Sequence, residues 1–421
     1  VIDASVNEMK YGSMVADISN SAELFKLVCE LNLNFNIQAS KADLGGIIGN
    51  LNNSTLNQSY NMAPNVTNIN LEANESSFGG LVGHSQDSAL RDSFNHTKIT
   101  GEFAGDTVNI GGLIGSIEND TQLEVDTIKR AYNSEELSPA LMQEKEDYSN
   151  DIYLGAIAGS ITNADITKIY SSRIIDSDLE YGQFFGMVEN STLSNSFAIV
   201  DQDVEMLSSL VDTSEIDIAS DVKEMESFSL DYFDDDQESN LQWDITEDVM
   251  GDSNWLYYDS EILHSNAYLK LKNVGYTSLS TEVEGPARVA GNNQVDFEGE
   301  KLMPKSTNIT YEVIADSGYE VENVIVNSKE YERVSGEVYI SDMQVDLNQW
   351  EDNTVQINVR EIPFYKTRLF FIISSMAGVV ALMIIGTMII NYFYAKKLEK
   401  QMNKRKKTAE KVVNPKEDDK K

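Results

Sequence analysis

Gly79-Gly80-Leu81-Val82-Gly83 returns along this chain in close copies, and that recurrence governs how the flanking sequence is read. The copies are Gly45-Gly46-Ile47-Ile48-Gly49, Gly111-Gly112-Leu113-Ile114-Gly115, Gly155-Ala156-Ile157-Ala158-Gly159 and, in the most degenerate form, Gly182-Gln183-Phe184-Phe185-Gly186. A unit recurring at such intervals belongs to a stacked repeat architecture, in which each copy buries its apolar face only against its neighbours.

Downstream of each block an apolar residue follows at a constant offset from the first glycine, at Leu56, Leu90, Ile166 and Leu193. An aromatic follows in the same way at Tyr60, Phe94, Tyr170 and Phe197. The third block keeps the pair as Ile128 and Tyr132 but displaced by six residues, which puts an insertion within Glu118 to Asp126. Constant offsets at unequal chain positions are what stacked coils need, because like residues then form apolar and aromatic columns. The glycines suit tight turns or close backbone approach, and the Asn and Ser between them suit turns with self-bonding side chains.

Gly-Gly-Leu-Val-Gly, a polar spacer and Leu90-x-x-Ser93-Phe94-Asn95 resemble the GLUG-motif repeat of bacterial cell-surface and adhesin-like proteins. The resemblance covers about Leu44 to Val200 and implies a β-solenoid. The expected fold class is mainly β: a right-handed parallel β-solenoid (β-helix) with a short capping helix, then a small β domain and one transmembrane helix. Within residues 1–43, Asn20 and Glu23 resemble a capping box, and Leu24, Leu27, Val28 and Leu31 fall at helical spacing. Ala22 to Leu31 is therefore expected as an amphipathic helix closing the open end of the solenoid, followed by a strand at Leu33 to Ile37. Cys29, the only cysteine, shares a flank of that helix with Phe25 and reads as a packed thiol; no intrachain disulfide can form.

Ser134 to Asp151, carrying Glu135, Glu136, Glu144, Glu146 and Asp147, widens one interval between blocks. It reads as a solvated acidic loop or as a binding insertion, since solenoid insertions loop out on one face. Residues 201–273 read as an acidic segment and the C-terminal end of the solenoid, with Trp243, Trp255, Tyr257, Tyr258, Tyr268 and Leu269 as its closing aromatic core over Phe228 to Leu271. The cluster Asp231, Asp234, Asp235, Asp236 and Glu238 could hold Ca²⁺, but its spacing lacks the central glycine of an EF-hand, and an acidic turn is the plainer reading.

In residues 274–362, strand-like runs at Ile309 to Ala315, Val321 to Asn327, Glu337 to Ile340 and Thr354 to Val359 fit a small β-sandwich or β-grasp domain. The stretch from Tyr311 to Asn327 is similar to the compact β-repeat beside the leucine-rich regions of internalin-type surface proteins, with Ser328 where that family has glycine.

Leu369 to Ala395, within the segment 363–395, contains no charged residue. Twelve of the residues from Leu369 to Ile390 are Leu, Ile, Val or Phe, and they favour bilayer insertion by about 4 to 7 kcal/mol. Tyr392, Phe393 and Tyr394 form an interfacial belt, and the basic tail 396–421 follows. Of the 32 basic and 69 acidic residues, Leu369 to Lys421 hold 11 and 5, so the preceding region keeps 21 and 64. That region is a polyanion, which argues against nucleic acid as a partner. The positive-inside rule places the tail in the cytoplasm and the acidic region outside. Ser374, Ala377, Gly378 and Ala381 offer small residues for helix pairing, and hence a route to a homo-oligomer. The chain opens on Val1 with neither a charged n-region nor an apolar h-region, so a secretory signal is expected to lie outside this sequence or to have been removed.

His84, His96 and His264 lie in no zinc spacing, and no phosphate loop or Gly-x-Ser-x-Gly occurs. No catalytic, cofactor or metal residue is assigned, and the chain is read as no enzyme. Several Asn-x-Ser/Thr sequons occur, including Asn65, Asn74, Asn95, Asn119 and Asn308. The expected function is a single-pass cell-surface protein displaying the solenoid to a host, matrix or neighbouring-cell ligand. The alternatives are a passive envelope spacer or subunit of a membrane complex, and then a glycan-active enzyme.

Overall fold

A computed structural model describes residues 2–63, 67–121, 125–142, 151–172 and 175–199, shorter pieces between 207 and 363, and the helix 368–413. The first two hundred residues wind through three parallel sheets in rotation. Sheet A takes Asn34–Gly45, Thr67–Gly79, Thr107–Gly111 and Asp151–Gly155, and sheet B takes Ile48–Asn52, Val82–Gln86, Ile114–Glu118, Ala158–Thr162 and Phe185–Glu189. Sheet C takes Thr55–Asn57, Ala89–Asn95, Ile128–Asn133, Asp165–Ser171 and Ser191–Ser194. Each turn of chain visits A, B and C and then lies on the turn before it.

The register shows which residues stack. Gly45 pairs with Gly79, Gly79 with Gly111, Gly111 with Gly155 and Gly155 with Gly182. On sheet C, Leu56, Leu90, Ile128, Ile166 and Leu193 stand opposite one another in turn, as do Tyr60, Phe94, Tyr132, Tyr170 and Phe197. The six-residue displacement in the third block falls between Glu118, which pairs with Gln86, and Ile128, which pairs with Leu90. The stacked rings lie 4.7 to 5.1 Å apart and within 9° of parallel, the strand repeat of a β-sheet.

The A-to-B corners need glycine for want of space. A Cβ on Gly80 would run into the carbonyl oxygen of Gly112 and lie 2.6 Å from Cγ of Asn95. Beneath these corners Asn61, Asn95 and Asn133 are buried: Asn61 Nδ2 donates to Gly80 O at 2.9 Å, and Asn95 Nδ2 donates to Asn133 Oδ1 at 2.9 Å. Two further bends use left-handed residues: Asn53, Asp87, Asn163 and Asn190 where B turns into C, and Lys26, Gln58, Asp92, Arg130, Lys168 and Asn195 within C. The first column holds residue types that tolerate positive φ; the second is less selective and carries strain at Lys and Arg.

The N-terminal segment differs from its expected form. Ala22 to Leu31 is not a helix but the strands Glu23–Phe25 and Val28–Cys29, and residues 1–43 hold another coil, not a cap. Its Gly12 pairs with Gly45, Leu24 with Leu56 and Val28 with Tyr60. Asn20, Ser21 and Lys26 have φ of 79°, 61° and 59°, which no α-helix accommodates. A strand interrupted by one left-handed residue sets two inward residues four apart, which imitates helical spacing. Cys29 is buried, whereas Phe25 is exposed, so the two share no flank.

Sheet C continues through Ile216–Ile218 and Lys223–Met225, which pair with Ser191–Leu193 and Phe197–Ile199. In the aromatic segment beyond, Phe228 and Phe233 pack on Phe197, the last ring of the column. The segment then returns along the side, placing Trp243 against Phe197 and Tyr170, Trp255 against Tyr170 and Tyr132, and Tyr276 against Phe94. Its strands Ile245–Thr246, Trp255–Tyr257 and Leu269–Leu271 form a small sheet over the ring column. A column of aromatic rings on one flank is apolar surface that must be covered, and this return segment covers it.

From Tyr276 onward two mostly antiparallel sheets follow, one built on Tyr276–Glu284, Asn353–Glu361 and Tyr319–Val326, the other on Ala287–Gly291 and Tyr311–Ala315. Leu279, Val324, Val355 and Ile357 from the first meet Val289 and Val313 from the second in one core. Asn327 and Ser328, both at positive φ, form the turn between Val326 and Lys329. The helix Arg368–Val413 is long and apolar enough to cross a membrane, and its apolar window is wholly exposed.

Candidate functional site

The glycines and column residues face inward or lie at corners, and they build the coils. Tyr60, Phe94, Tyr132, Tyr170 and Phe197 are all buried, so their faces cannot stack on an outside ligand. Chemistry available to a partner must come from outward positions.

The first such surface is the outer face of sheet A. In a β-strand alternate residues face opposite sides, so Phe35, Ile37, Ile69 and Leu71 enter the core while Asn36, Gln38, Asn68 and Asn70 face out. Asn36 stands opposite Asp3 and Asn70, and Asn70 opposite Glu102. Asn36 Nδ2 donates to Asp3 Oδ1 at 3.1 Å and Gln38 Nε2 to Glu72 Oε2 at 3.4 Å. The result is a field of amides, hydroxyls and carboxylates repeating at about 4.8 Å. Leu137–Leu141, the start of the acidic insertion, extends this sheet by pairing with Ile99–Phe103. The segment is thus partly a sheet strand and not wholly a loop. Glu144, Glu146 and Asp147 lie outside the described residues.

The second surface is the outer corner between sheets A and B. The residue after the last glycine of the first four blocks points there, giving Asn50, His84, Ser116 and Ser160, beside Asp43, Ser77 and Asn109 from sheet A. His84 Nδ1 lies 2.8 Å from Ser116 Oγ, Ser116 Oγ 2.8 Å from Ser77 Oγ, and Asn50 Nδ2 donates to Asp17 Oδ1 at 2.8 Å. Burial holds the His84 pKa below the ordinary value against the pull of Asp43, and burial raises that of Asp43. Ser77, Ser116 and Asp43 are almost wholly buried, so neither hydroxyl can reach a substrate carbonyl, and the network ties sheet A to sheet B. The sequence carries a signal for this corner, since a polar residue follows the last glycine in four blocks, whereas zinc spacing alone leaves His84 isolated.

A third constellation joins the return segment to the coils. His96 Nδ1 bonds Ser134 Oγ, and its Nε2 lies 3.6 Å from Glu135 Oε1. Burial and the Lys270 charge lower the His96 pKa to about 4. Lys270 is itself buried beside the Tyr276 ring, and Tyr170 Oη donates to the Leu269 carbonyl. His264 and the carboxylates Asp231, Asp234, Asp235, Asp236 and Glu238 lie outside the described residues. Among the described residues no group of three or more His, Cys, Asp or Glu side chains could hold a metal ion. The sequons at Asn95 and Asn119 have buried side chains and that at Asn74 is exposed; Asn65 and Asn308 lie outside the described residues.

Comparison with protein families, with curated proteins and with solved structures finds no match.

Proposed function

We propose that the chain is a single-pass, membrane-anchored surface protein that uses the outer face of a right-handed β-solenoid to bind a glycan or protein ligand on a neighbouring cell, host or matrix. The observation that carries this reading is the polar face of sheet A, whose Asn, Gln, Thr and Glu side chains repeat strand by strand, in a chain that also carries an anchor-length helix. Such a face matches ligands that themselves repeat hydroxyl or amide groups, because each strand adds one set of donors and acceptors. Right-handed winding follows the general preference of parallel crossovers. The resemblance of the glycine blocks to GLUG repeats of adhesin-like proteins supports the same role. The two sheets between Tyr276 and Glu361 act as a spacer, in line with their resemblance to the internalin-type repeat. The basic residues after Ala395 support a cytoplasmic tail and an external acidic region.

The test is binding of the full chain, in detergent or nanodiscs, to glycan arrays and intact cells. Saturable binding lost in an Asn36→Ala/Asn70→Ala/Glu102→Ala variant is the expected result. Absence of any saturable binding sinks the ligand-binding reading and leaves the passive spacer. Protease added to intact cells should remove the acidic region; its protection would reverse the orientation.

A further inference from the structure

The helix Arg368–Val413 carries more than a span. At 46 residues it is about 69 Å long, roughly twice the hydrocarbon thickness of a bilayer. Four hydroxyl- or amide-bearing side chains lie within the span ahead of its aromatic belt: Ser374, Ser375, Thr387 and Asn391. Ser375 Oγ donates to the Phe371 carbonyl at 2.6 Å and Thr387 Oγ1 to the Met383 carbonyl at 2.7 Å, so these two satisfy themselves along their own helix. The side chains of Ser374 and Asn391 have no such bond. Both fall on one seven-residue stripe, which runs through Ser374, Ala377, Ala381, Ile384, Met388 and Asn391 in alternating steps of three and four.

The same stripe leaves the membrane without a break. It passes Ala395 and then takes Leu398 and Met402, the large apolar residues exposed in the basic stretch. Lys396, Lys397, Lys400, Lys404 and Lys407 occupy the other positions of the repeat, away from the stripe, which ends at Arg405 and the flanking Lys406. Like charges at Lys396, Lys400 and Lys404 are spaced to repel along a lone helix. A partner seated on the stripe would stabilise it without meeting that charge. A seven-residue spacing stays on one face only when two helices wrap in a left-handed coil, and small residues in its membrane half let the backbones approach.

We infer that this stripe is the contact face for a second copy of the same chain, forming a parallel two-helix coil through the bilayer and into the basic stretch. The inference rests on the reading that the helix spans a membrane. Ser374 and Asn391 then bond to their counterparts across the pair, which supplies partners that hydrocarbon lacks. Two copies of the sheet A face are displayed together, so a repeating ligand meets both.

The experiment is disulfide scanning of the full chain in native membranes. Single cysteines are placed along residues 374 to 391, with the parental chain, whose buried Cys29 serves as blank, run beside them. A dimer band strong at 377, 381, 384 and 388 and weak at 379, 383 and 386 is expected. Asn391→Leu should weaken pairing about three- to tenfold, as loss of an interhelical bond worth about 0.6 to 1.4 kcal/mol implies. Uniform or absent crosslinking, a different periodicity, or a band of another mass overturns the pair. Carbonate extraction of the same membranes is read separately: release of the chain overturns the spanning reading itself, whereas retention without seam crosslinks overturns only the pairing.

Discussion

The ring of Tyr276 lies stacked on that of Phe94, 5.8 Å between centroids and 19° from parallel, although the two are far apart along the chain. The contact exists because the chain, having finished its coils, runs back along the aromatic column. It makes the return segment part of the core of the stack. The cover is therefore held in place by the column it packs on.

Trp255 is the centre of that cover, buried with its ring 4.5 Å from Trp243, 5.8 Å from Tyr170 and 6.1 Å from Tyr132. Trp255→Ala should cost about 3 to 5 kcal/mol. Thermal unfolding should show the loss, and limited proteolysis should show faster cutting between Leu241 and Tyr276 with the coils intact. An unchanged digestion pattern would place the segment elsewhere.

Gly80→Ala should be harsher than its size implies. The new methyl group meets the Gly112 carbonyl and the Asn95 side chain, both fixed by the neighbouring coil. Overpacking of this kind costs about 3 kcal/mol or more, since a shift in one corner must propagate through the stack. Poor recovery of folded protein with a lowered unfolding midpoint is the expected outcome.

Lys168 should prove improvable. It sits at φ 55° in the bend column where the next coil has Asn195 at φ 48°. Lys168→Asn should raise stability by about 0.5 to 1 kcal/mol, because asparagine enters the left-handed region at lower cost. The measurement is the denaturant midpoint, and a lowered midpoint would show that the lysine stem contributes more than the strain removes.

His96 gives the fold an acid-sensitive joint. Its folded pKa of about 4 lies below the ordinary value of 6.5, so between these values the unfolded chain binds the extra proton and the folded one does not. Stability therefore falls as pH drops from about 6.5 to about 4, by about 3 kcal/mol in all, and this loss stops below the folded value. Glu135 and Lys270 face the same ring, so the slope must be read in His96→Gln beside the parent. A variant with an unchanged slope would assign the effect to those neighbours.

Column spacing was legible in the sequence because it is a property of register: Leu90 and Phe94 keep the offset of Leu56 and Tyr60, and those pairs are opposite in space. The same property hides the N-terminal coil. Leu24 and Val28 keep the four-residue spacing of Leu56 and Tyr60 but stand one residue further from their glycine, Gly12-Ser13-Met14-Val15-Ala16 has lost the later glycines, and four-residue spacing alone also fits a helix. The polar corner was only half visible. His84, Ser116 and Ser77 are distant in sequence, and nothing short of stacking brings their side chains within hydrogen-bond reach.

The sequence by itself determined the repeat, its columns, the polyanionic character of the region before Leu369 and a helix fit to cross a membrane, all of which follow from periodicity and composition along one dimension. Tertiary structure alone decided that residues 1–43 form a coil, that Trp243, Trp255 and Tyr276 lie along the flank instead of over the end, and which polar side chains face outward together. The physical reason is that a stack of coils sets each inward position by its neighbours above and below, whereas the covering of its exposed apolar flank is settled only by which distant segment packs there most completely.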